Sequence, residues 1–130
     1  MVFRYRSRSD CSSCSALARA LARDMGLSPV ASLEVGMGVS ALMLIAFHHF
    51  GPGSIRMRGK REPRTLVEVE LRTWVESASA ESPILERRRP RAPMGSIESD
   101  LIAVRRLMSD FSVLAARGRG VVFRASKWAV

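Results

Sequence analysis

The sequence is poor in the residues that usually carry chemistry. Of 130 residues, two are cysteine and two are histidine. Cys11 and Cys14 form a lone C-x-x-C pair among Ser12, Ser13 and Ser15. A structural zinc site normally takes four ligands, and no second cysteine pair exists to complete one. A redox dithiol of the thioredoxin kind would sit in a βαβ pattern, which the flanking sequence does not show. Two thiols in a mobile N-terminal arm, or a disulfide in an oxidising compartment, is the expected state. His48 and His49 are adjacent, so on a helix their rings diverge by about 100° and do not readily share one metal. The expected place for them is a helix C-terminus, where they face the last carbonyls. Missing too are a G-x-S-x-G elbow, a phosphate-binding G-x-x-x-x-G-K-[ST] loop and an H-E-x-x-H pair. Gly36-Met37-Gly38 lacks the third glycine and the preceding strand of a dinucleotide loop. The expectation is a protein without catalysis, cofactor or metal.

Lysine is also scarce, yet the chain is strongly basic. Lys and Arg total 21 against 12 Asp and Glu, a net charge of +9. Lys60 and Lys127 are the only lysines, so arginine supplies nearly all the positive charge. Such a balance favours anionic partners, and arginine matches phosphate and carboxylate geometry. The charge is laid down in blocks. Arg56, Arg58, Lys60 and Arg61 form one cluster, and Arg87, Arg88, Arg89 and Arg91 form another. Between them lie Glu68, Glu70, Glu76, Glu81 and Glu86. Alternating blocks suit pairing within the chain or with a neighbour better than one continuous nucleic-acid face. The two basic clusters are the candidate anionic-partner contacts.

Long apolar runs are limited to one. Val35 to Ile55 contains no charged residue, and the first basic cluster follows at once. An uncharged stretch closed by cations has the look of a membrane span with a positive anchor. A helix from Ser32 to Phe50 is only marginally long enough, since a span takes about 20 apolar residues. Gly51-Pro52-Gly53 ends it. Gly36, Gly38, Ser40 and Ala41 are small and would let a second helix approach closely in the bilayer. A buried helix of a globular fold is the alternative, because a helix apolar on all sides satisfies either environment.

Ala16 to Arg23 places Leu17 and Leu21 in one stripe and Arg19 and Arg23 in another. With the basic, serine-rich start, this has the composition of a mitochondrial transit peptide, although Asp10 and Asp24 run against it. Residues 65–78 alternate like a strand and also fit a helix. The helix is favoured because a lone strand needs a partner, and only Val121–Arg124 offers one. Residues 82–96, rich in proline and arginine, form a linker. Ser96 can cap an amphipathic helix whose apolar face is Ile97, Leu101, Val104, Met108, Phe111 and Ala115. This is the candidate partner-helix face. The tail mixes Phe123 and Trp128 with Arg119, Arg124 and Lys127, which suits a membrane interface or a partner groove.

Together these features predict a mainly α protein with one marginal transmembrane helix, amphipathic helices and basic linkers, and no compact large domain. Its segments are a basic arm (1–31), a membrane helix (32–51), a charged stretch with the linker (52–95), and an amphipathic helix with an aromatic, basic tail (96–130). The expected function is a non-catalytic accessory or assembly subunit of a larger membrane complex, with the mitochondrial inner membrane as the expected location. Its expected partners are other subunits and anionic lipid headgroups, with nucleic acid second. The alternative is a soluble basic RNA-associated protein, such as a peripheral ribosomal component.

Overall fold

Alternation wins over helical spacing in the middle of the chain, and that decides the fold class. In the computed structural model, which describes residues 2–73, 94–116 and 120–129, residues 66–73 are a strand with neighbours on both sides. The element order is β1 (Val2–Tyr5), α1 (Arg8–Asp24), α2 (Pro29–Phe50), β2 (Gly53–Lys60), β3 (Leu66–Thr73), α3 (Met94–Leu107), β4 (Asp110–Ala116) and β5 (Gly120–Trp128). The strands form one antiparallel sheet in the order β1-β2-β3-β5-β4. The protein is therefore α/β and not mainly α. The helix expected over residues 65–78 is corrected to β3 within its described part, because β2 and β5 supply the partners a lone strand lacks.

The sheet has one apolar face. Ile55, Met57, Val67, Val69, Leu71, Phe123 and Ala125 are buried, while Arg56, Arg58, Arg72 and Arg124 between them are exposed. This is the in–out alternation of a sheet covered on one side. The covering layer is helical. Val35, Val39, Leu42, Met43, Ala46 and Phe50 of α2 join the inner sheet residues in a single core. Phe50 packs against Phe123 with ring centroids 6.2 Å apart.

The apolar run is thus the central helix of a folded domain. It begins earlier than the spacing indicates. Ser28 caps it, accepting a hydrogen bond from the Ala31 N–H at 3.1 Å, and Pro29 occupies the first turn. Gly51, with φ of 85°, ends it as expected. By length and hydropathy α2 could cross a bilayer. Here it is flanked by α1 and α3 and its larger buried residues sit in the chain's own core, so that surface is not available to lipid.

Two further expectations are corrected. The C-terminal amphipathic helix stops at Leu107 and does not reach Ala115. Leu101, Val104 and Met108 are buried as its spacing predicts, but Phe111 and Ala115 belong to β4, opposite Ala125 and Val121 of β5. The apolar spacing simply runs on into a strand. The ladder with β5 supplies the backbone bonds, starting where the Ser109 N–H donates to the Ser126 carbonyl. The N-terminal segment is also no loose arm. β1 pairs with β2 at the sheet edge, and α1 buries Cys11, Cys14, Ala18 and Ala22. Its two leucines part company: Leu21 is half-buried against the core, whereas Leu17 is exposed, and small side chains let α1 lie close to α2. The tail is equally built in, since β5 lies between β3 and β4.

Candidate interaction surfaces

The outer sheet face collects many of the expected anionic contacts. Cross-strand register puts Arg56 opposite Glu70, Arg58 opposite Glu68, and Glu70 opposite Arg124. Arg58 donates from both Nε and Nη2 to Glu68 Oε1 at 2.9 and 2.7 Å, and Lys60 Nζ lies 3.2 Å from Oε2. Glu70 accepts from Arg72 at 2.7 Å and from Arg124 at 3.2 Å. Partial burial pushes both carboxyls up, but their cationic neighbours outweigh it, so each titrates below the ordinary glutamate range. Two glutamates thus hold four cations, and the face is largely satisfied by its own charges. Arg56 and Arg61 make no ion pair among the described residues. The Arg64 guanidinium stacks over Trp128, 4.3 Å from the ring centre. That contact occupies the aromatic a nucleic-acid base would need. Arg87, Arg88, Arg89 and Arg91 lie outside the described residues.

The small residues of α2 do admit close neighbours, but those neighbours belong to the same chain. A Cβ on Gly36 would come within 3.3 Å of the Ser15 carbonyl and hydroxyl, and Ser15 donates to the Gly36 carbonyl at 2.7 Å. A Cβ on Gly38 would meet Met108 Sδ at 2.9 Å. Gly36 therefore seats α1, and Gly38 seats the end of α3. Ala41 is half-buried and packs on the core.

Ser40 opens onto a different feature. On the side of the helical layer away from the sheet, α1 and α2 enclose an open groove of about 460 Å³. Ser12, Ser15, Ala16, Arg19, Ala20 and Arg23 line it from α1, and Leu33, Gly36, Met37 and Ser40 from α2. These steps of three and four residues are one face of each helix. Leu33 and Met37 are 44% and 50% exposed, and Val30 and Leu44, at 68% and 40%, extend the stripe beyond the groove. Arg19 and Arg23 have no ion pair among the described residues. The groove was half visible in the sequence as the arginine stripe of α1. Its apolar wall was hidden inside a run already apolar on every side.

Two buried polar clusters lie elsewhere in the fold. Cys11 and Cys14 face the core beside Tyr5. Burial first, and the Asp10 charge second, push both thiols above their ordinary range, which favours the unreactive protonated form. The Tyr5 hydroxyl is buried without a hydrogen-bond partner. His49 is buried too, its Nε2 3.5 Å from an Asp100 oxygen and its Nδ1 unpartnered, while His48 is exposed. Among the described residues no three His, Cys, Asp or Glu side chains gather as a metal site. Compared with known proteins, the chain matches no family model and no curated protein.

Proposed function

We propose that this protein is an accessory subunit that works by binding, and that its docking face is the outward side of the α1–α2 layer. The observation that supports this is the apolar stripe of α2 left open to solvent. Val30, Leu33, Met37 and Leu44 recur at helical spacing along that side, next to a groove between two helices. Scattered single apolar residues are ordinary on a surface, but a contiguous row beside a groove marks an interaction site. The outer sheet face supports binding less well, because its glutamates already take up most of its cations.

In this reading the partner is another subunit, and the assembly role expected from the sequence keeps its binding half. The bilayer half rests only on the length and hydropathy of α2. The test is purification of tagged wild-type chain from its native cells in mild detergent, beside a Leu33→Glu/Met37→Glu variant. Wild type is expected to elute in a complex. The variant should elute alone, with unchanged circular dichroism and melting temperature. A variant that stays in the complex contradicts the proposal. Release of the wild-type chain by nuclease or high salt would favour the RNA-associated alternative. Carbonate extraction of the same cells reads whether the complex is held in a membrane.

A further inference from the structure

We infer that the α1–α2 groove receives an amphipathic helix of a partner protein, with carboxylates one turn apart along one flank. This rests on the docking face proposed above and names its occupant. The two walls differ in kind. The α2 wall is apolar, formed by Leu33 and Met37. The α1 wall carries Arg19 and Arg23, spaced one turn apart, both exposed and both without an ion pair among the described residues. Between them the groove is lined by Ser15, Ala16 and Ser40, with no long side chain. A small-residue lining lets a third helix settle close, in the manner of helices in a groove.

Each wall then selects one side of the occupant. Apolar residues at i, i+3 or i+4, and i+7 fit against Leu33 and Met37. Asp or Glu at i and i+4 fit against Arg19 and Arg23, where the guanidinium forks match carboxylates. From Ser12 to Arg23 the α1 wall runs about three helical turns, which sets the length of the contact. A groove of about 460 Å³ has room for several side chains and far exceeds one water's share of about 30 Å³. The same charges argue against other occupants. A second copy facing groove to groove would set arginines against arginines. Nucleic acid would meet two cations and no aromatic residue in the groove.

The test uses the full chain and a displayed library of 18-residue helical peptides, randomised at the exposed positions. Selection on wild-type protein should enrich peptides with an apolar stripe and two carboxylates one turn apart. One such peptide, synthesised, should lose about tenfold in affinity for an Arg19→Glu/Arg23→Glu variant by fluorescence anisotropy. Replacing its two acids by lysine should restore binding to that variant. Circular dichroism and melting of the variant check that it is folded. Should it unfold, Arg19→Gln/Arg23→Gln replaces it, with the same direction of effect. Enriched peptides that lack acids, or binding indifferent to both charge variants, would overturn the proposal.

A Leu33→Glu/Met37→Glu variant separates the two readings. If it abolishes peptide binding while the arginine variants do not, the docking face stands and the acidic helix fails. If selection yields no binder, both fail for helices. Sedimentation with vesicles containing anionic lipid, lost in the arginine variant, would then give the groove to a lipid surface. A dimer in solution broken by the same variant would give it to a second copy.

Discussion

The two long sides of α2 carry nearly the same chemistry and do different things. Toward the core, Val35, Val39, Leu42, Met43 and Ala46 are buried almost completely. Away from it, Val30, Leu33, Met37 and Leu44 are apolar and exposed. A surface helix normally turns a polar face to water. This one does not, and the difference between its sides is visible only once α1, α3 and the sheet are in place. An apolar side chain is buried in the core on one side of this helix and open to solvent on the other.

The sharpest way to break that comparison is to shorten one residue on each side. Leu42→Ala leaves a cavity in the core and should cost about 3 kcal/mol in urea unfolding. Met37→Ala removes exposed atoms and should change stability by less than about 0.5 kcal/mol. Equal costs would mean that the outward side is already covered within the chain.

Tyr5 tests how well the core side tolerates a polar group. Its hydroxyl is buried with no partner, so Tyr5→Phe removes an unpaired oxygen and keeps the ring. Thermal unfolding should show no loss, and up to about 1 kcal/mol of gain. A clear loss would reveal a hydrogen-bond partner for that hydroxyl. A smaller effect belongs to the outer sheet face. Glu70 titrates below its ordinary range in the folded chain, because Arg72 and Arg124 outweigh its partial burial. Its stabilising effect is therefore full above the ordinary glutamate value and fades as pH falls through the lowered folded value. Glu70→Gln should be less stable than wild type at neutral pH by about 1 kcal/mol or less. The two melting curves should converge in acid. A constant gap across that range would mean the ion pairs contribute nothing.

Much of the architecture lies in local signals, and the errors have local causes. Gly51 ends α2 where the sequence puts its end, whereas the Ser28 cap and Pro29 start it three residues before Ser32, a signal the apolar spacing masked. Leu101, Val104 and Met108 face inward at their predicted spacing. The spacing then carried on through Phe111 and Ala115 because apolar residues in a following strand happened to keep step with a helix. Residues 66–73 alternate cleanly, but their partners, Gly53–Lys60 and Gly120–Trp128, are distant in sequence. Gly53–Lys60 reads as a basic cluster until its alternate residues, Ile55 and Met57, are seen to face the core. Burial of Cys11 and Cys14 was also not legible, since α1 turns its smallest residues inward and leaves Leu17 outside. Of the groove, the arginine wall could be read from the sequence. The apolar wall could not, because hydropathy does not say which side of α2 a fold will cover.

Hydrogen exchange of the purified chain in detergent-free buffer tests the central point most directly. If α2 is the core helix of a folded domain, its amides from Val39 to Phe47 should be among the slowest to exchange, close to the protection of global unfolding. If those amides exchange within seconds in water and gain protection only in micelles, α2 belongs to a bilayer and the docking face proposed here does not exist.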